Sequence, residues 1–89
     1  MAEEFTLEER LTNIKNLLDG GKLKEADSEI SDEIIENLKP EHLREIYKKI
    51  ERLDRDEAEL FVASCTSYNK YLKGMDVVDA TSYILGEGN

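Results

Sequence analysis

The sequence predicts an all-α fold, a small antiparallel bundle of four to five helices, and three observations carry that expectation. Apolar residues recur at three- and four-residue spacings through four successive segments, helix start and stop signals separate those segments, and the connections between them are short. At 89 residues and 39% hydrophobic content the chain has material for one core and one domain, spanning 1–89, with about 1–5 and 86–89 expected as flexible ends.

The first helix opens at Thr6-Leu7-Glu8-Glu9, a capping box in which the hydroxyl and the carboxylate each serve a free amide of the first turn. Leu7, Leu11, Ile14, Leu17 and Leu18 then share one face, and Asp19-Gly20-Gly21 ends the helix where glycine can take a left-handed conformation. A second helix is expected from about Lys22 to Leu38, with Leu23, Ala26, Ile30, Ile34 and Leu38 as a single stripe. Pro40 cannot sit inside that helix but suits the first turn of the next. The third helix carries Leu43, Ile46, Tyr47, Ile50 and Leu53 inward, with Glu45-Lys49 and Glu51-Arg55 as i,i+4 pairs on its outer flank.

Asp54 and Glu57 favour a break before the fourth helix. That helix has Ala58, Phe61, Cys65, Tyr68 and Leu72 as its seam, widened by Leu60, Val62 and Tyr71, which marks it as central. Gly74 is expected to stop it, and Asp76 to cap a short last helix from about Val77 to Leu85.

An internal echo at an offset of 32 residues matches Leu11, Ile14 and Leu18 with Leu43, Ile46 and Ile50, and Ala26 and Ile30 with Ala58 and Val62. Helical periodicity alone also produces such matches, and the echo leaves two stacked helical hairpins plus a short C-terminal helix as an alternative to the plain bundle. Gly21-Lys22-Leu23-Lys24-Glu25-Ala26 has the Gly-x-large-x-x-Ala pattern of a tetratricopeptide-like hairpin turn. The early aromatic of that repeat is absent, however, and Pro40 falls two residues late, so the family is not assigned.

Twelve basic against twenty-one acidic side chains leave a net charge of −9, which repels phosphate backbones and points to partners with basic or apolar surfaces. Direct nucleic-acid binding needs a helix of exposed cations. The third segment has Arg44, Lys48, Lys49, Arg52 and Arg55, but Glu41, Glu45 and Glu51 are interleaved with them. The opening MAEEFTLEER places acids where a signal peptide needs cations, and no stretch approaches the roughly 20 apolar residues of a membrane span, so a cytoplasmic protein without membrane contact is expected.

Catalytic, metal and cofactor chemistry finds no support in the residue pattern. The single histidine, His42, sits in a helix first turn as a solvated residue, and the single cysteine, Cys65, falls on the core seam. Asp19-Gly20-Gly21-Lys22 follows a helix and lacks the spacing of a phosphate loop, and Asp54-x-Asp56 lacks the third ligand and the glycine of a calcium loop. No cofactor, metal or catalytic residue is therefore expected.

The sharpest feature is the run from Glu25 to Glu36, with six carboxylates and no cation. On a continuous helix Glu25, Glu29, Asp32, Glu33 and Glu36 share a face of about 100°, a carboxylate ridge of roughly 16 Å opposite the apolar stripe. Ile35 falls outside the stripe and is expected to meet a partner or the basic residues Arg44, Lys48 and Arg52. Tyr71, beside the fourth helix's seam, is the tyrosine most suited to face a partner. These residues predict a non-enzymatic protein-interaction module, an acidic adaptor, chaperone-like subunit or regulator. The alternative is an acidic nucleic-acid mimic that inhibits a basic DNA- or RNA-binding protein. A chain this short buries a small core, so a homodimer or a permanent partner is an economical expectation.

Overall fold

A computed structural model of the chain describes residues 6–86. Within them six helices follow one another: α1 (Leu7–Asp19), α2 (Leu23–Glu29), α3 (Asp32–Asn37), α4 (Pro40–Leu53), α5 (Arg55–Tyr68) and α6 (Val77–Leu85). The all-α class stands, with no strand among the described residues. The expectation of flexible ends at 1–5 and 87–89 lies outside the described residues. Gly86, at φ 74°, closes α6 in the left-handed conformation, and Arg44 Nε donates to Ile84 O at 2.9 Å beside it.

Local signals set most boundaries. Thr6 Oγ1 accepts from the Glu9 amide at 3.1 Å while Glu9 Oε1 accepts from the Thr6 amide at 2.9 Å, so the capping box forms in full. Those hydrogen bonds hold the Glu9 carboxyl below its ordinary pKa. The turn after α1 uses Gly21, at φ 76°, as its left-handed residue. Pro40 occupies the first turn of α4. Asp54 alone separates α4 from α5, and its carboxylate accepts from the amides of Asp56 and Glu57 at 3.0 and 3.3 Å.

The continuous second helix is corrected. Ile30 is extended, at φ −85° and ψ 93°, and Ser31 restarts the chain as a new N-cap whose hydroxyl accepts from the Ile34 amide at 3.3 Å. The break reorients α3, so that Ile34 and Ile35 are both 3% exposed. Ile34 and Ile35 stay about 100° apart around α3, and the new direction of the helix axis lets both reach the core.

α1 packs on α2 and α4, α3 packs on α5, α4 packs on α5, and α6 lies against α4 and α5. This is two hairpins side by side, α1 with α2–α3 and α4 with α5, with α6 on the second. The echo holds in burial for Leu11, Ile14, Leu18 and Ala26 and their counterparts Leu43, Ile46, Ile50 and Ala58, but not for its last pair, since Ile30 is partly exposed at the helix break and Val62 is buried. One core runs through the molecule and takes in Leu38, Val62, Cys65, Leu72, Ala80 and Ile84.

The expected i,i+4 pairs are also corrected. Glu45 pairs with Lys15 of α1 at 2.9 Å and Lys49 with Asp19 of α1, so these charges clamp α4 to α1 instead of lining one helix. Glu51 accepts from the Tyr47 hydroxyl at 3.4 Å, and Arg55 lies in the next helix. α5 ends at Tyr68, not at Gly74, and Leu60, Tyr68 and Tyr71 are exposed while Phe61, Val62 and Cys65 are buried.

Candidate interaction surface

Two segments position the acidic residues, and the break between them decides what they can form. α2 presents Glu25 and Glu29 to solvent, and Asn13 Nδ2 of α1 donates to Glu29 Oε1 at 3.4 Å. α3 presents Asp32, Glu33 and Glu36. All five carboxylates are exposed as expected, but the ridge is two short acidic faces that meet at an angle at Ile30-Ser31, not one straight edge. Asp32 and Glu33 lie in the first turn of α3, where the free amides favour negative charge. Ile35 is withdrawn from the surface into the core and cannot touch a partner. None of the ion pairs formed among the described residues joins α2 or α3 to Arg44, Lys48 or Arg52.

The residue that sequence reasoning missed is Asn69. It is fully buried, and its amide donates to Ile35 O at 2.6 Å and Leu38 O at 2.9 Å while its Oδ1 accepts from the Tyr71 amide at 2.9 Å. Both amide protons and the carbonyl oxygen are thus used, which accounts for the burial of so polar a group. Asn69 caps the last carbonyls of α3 from outside the helix and at the same time shapes the turn that carries Tyr71. Glu36 and Tyr71, far apart in sequence, therefore flank one buried amide. Tyr71 is 48% exposed there and Tyr68 46%. Lys70 and Lys73 stand exposed on either side of Tyr71.

Other candidates resolve into structural roles. Burial pushes the Cys65 thiol up to about 12, so it stays a protonated core group. His42, expected in solvent, is half-buried, and its Nδ1 is shut away with no hydrogen-bond partner. Among the described residues no three His, Cys, Asp or Glu side chains are grouped to hold a metal ion, and no helix is long and apolar enough to cross a membrane.

Charge is unevenly distributed over this scaffold. Residues 60–86 hold only four charged side chains, Lys70, Lys73, Asp76 and Asp79, two of each sign. Among the described residues, five of the six exposed large hydrophobics, Leu60, Tyr68, Tyr71, Val78 and Tyr83, lie in the same stretch. The negative charge belongs to the rest of the chain. No family model, curated protein or solved structure matches this chain.

Proposed function

We propose that this chain is a non-enzymatic protein-interaction module, an acidic adaptor or regulator that engages another protein through the surface where α3 meets the turn after α5. The observation that carries this is the Asn69 amide, which ties the backbone of α3 and its C-cap, at Ile35 and Leu38, to the turn that carries the exposed Tyr71. The exposed carboxylates of α3 and the exposed ring of Tyr71 suit a partner that offers both cations and an apolar or aromatic contact. Glu25 and Glu29 extend the negative field along α2 and speed encounter without sharing the contact.

The test is capture of partners from the native lysate on tagged protein, eluted in salt steps, with the wild type beside Asp32→Asn/Glu33→Gln/Glu36→Gln and Tyr71→Ala. A specific partner should be lost from both variants, at lower salt for the carboxylate variant. Capture indifferent to both variants would contradict the proposal. The alternative, an acidic nucleic-acid mimic, draws on the same exposed carboxylates, set on two faces that meet at Ile30-Ser31, and competition of DNA or RNA with the captured partner tests it.

A further inference from the structure

α6 leaves a groove where it crosses the start of α5. An open hollow of about 380 Å³ is lined by Tyr47 of α4, Arg55, Asp56 and Glu59 of α5, and Val77, Val78, Thr81 and Ser82 of α6. Its α6 wall is apolar in character. Val78 is 75% exposed, the most exposed large hydrophobic among the described residues, and the Thr81 hydroxyl is tied back to Val77 O at 2.7 Å. The floor is the ring of Tyr47, 8% exposed, whose hydroxyl is occupied by Glu51. Burial and the neighbouring carboxylates Glu51 and Glu59 push that phenol above its ordinary value, so it stays neutral. The opposite wall is charged, and Asp56 and Glu59 outnumber Arg55. An exposed valine over an apolar floor, faced by carboxylates, matches the two faces of a cationic amphipathic helix.

Resting on the assignment of the chain as an interaction module, we propose that the α4–α5–α6 groove is a second docking site that takes one helical segment of a partner protein, seating an aliphatic side chain against Val78 and Tyr47 and a flanking lysine or arginine against Glu59 and Asp56. A second copy of this chain fits the site poorly, because each copy brings a net charge of −9 and the groove is itself negative. The hollow is too open to enclose a small molecule, whereas a helix laid across it covers Val78 along with the floor.

The probe is an 18-residue peptide with leucines on one helical face and lysines on the other. The control peptide has the same composition, scrambled so that no face is apolar. Titration is followed by amide chemical shifts of the whole labelled protein. The result expected is shifts concentrated at Arg55–Glu59 and Val77–Ser82, about tenfold weaker binding for Val78→Lys and for Glu59→Lys, and weaker binding of the scrambled peptide. Both substitutions are at exposed positions, and an unchanged spectrum elsewhere shows that each variant is folded. Shifts confined to Asp32–Glu36, equal binding of the two peptides, or affinity indifferent to both variants would overturn the groove. The interaction-module proposal fails separately: it falls if Asp32, Glu33, Glu36 and Tyr71 variants retain every lysate partner, whatever the peptide does.

Discussion

The second arms of the two hairpins hold corresponding places and solve the same packing problem differently. The first arm, α2 with α3, breaks at Ile30-Ser31, buries both Ile34 and Ile35, and presents carboxylates outward. The second arm, α5, runs unbroken for 14 residues, buries Phe61, Val62 and Cys65, and leaves Leu60 in solvent at 60% exposure with no charged side chain from there to Tyr68. Both arms bury an adjacent apolar pair, Ile34-Ile35 and Phe61-Val62, but the acidic arm changes direction before its pair, whereas α5 keeps direction and leaves Leu60 exposed. The difference separates charge from apolar exposure, and that separation gives the chain its two unlike surfaces.

The largest expected effect tests burial on the two arms directly. Ile35→Ala should cost about 3 to 4 kcal/mol in denaturant unfolding, as a buried aliphatic truncation does, whereas Leu60→Ala should stay within about 0.5 kcal/mol. Next comes Asn69→Ala, which leaves Ile35 O and Leu38 O without their buried donor and should cost about 3 kcal/mol, with Tyr71 losing its fixed place at the same time. Ser31→Ala removes the cap that restarts the chain and should cost about 1 kcal/mol.

Cys65 on α5 sharpens the comparison at high pH. Its thiol rises from the ordinary 9.0 to about 12 on folding, so the protonated form is favoured by the native state. Its contribution is complete below pH 9 and is lost as pH rises from about 9 toward 12. Stability of the wild type should therefore fall more steeply across that window than stability of Cys65→Ala, measured by urea midpoints at each pH. The smallest effect is at the α1–α4 clamp. The Lys15 hydrogen bond holds the Glu45 carboxyl below its ordinary value, so its contribution is present above that value and disappears as acid protonates the group. Because the pair is exposed, Glu45→Gln should change the unfolding free energy from urea titration by only a few tenths of a kcal/mol.

Much of the fold was legible in the sequence because its signals are local. Thr6-x-x-Glu9, Gly20-Gly21, Pro40, Asp54 and Asp76 each act within a few residues, and each sets a boundary where the pattern puts it. The break at Ile30-Ser31 was not legible, because Ile30, Ile34 and Leu38 keep helical register across it and mask the cap that Ser31 supplies. Asn69 was less legible still. Its partners stand 34 and 31 residues earlier, and nothing in its neighbourhood marks an asparagine as a core residue. The candidate site shared that fate. The exposed carboxylates could be read from helical spacing, but Ile35 could not be placed without the break, and the link between Glu36 and Tyr71 exists only through Asn69.

Exchange of the Asn69 side-chain amide protons tests most directly whether α3 is a separate helix pinned from α5. Both protons are engaged by buried carbonyls, so they should exchange far more slowly than those of the exposed amide of Asn13, while Ile30 and Ser31 show extended rather than helical chemical shifts. Asn69 protons that exchange at the rate of a solvated amide, with helical shifts running unbroken from Leu23 to Asn37, would contradict the account and restore the single acidic ridge.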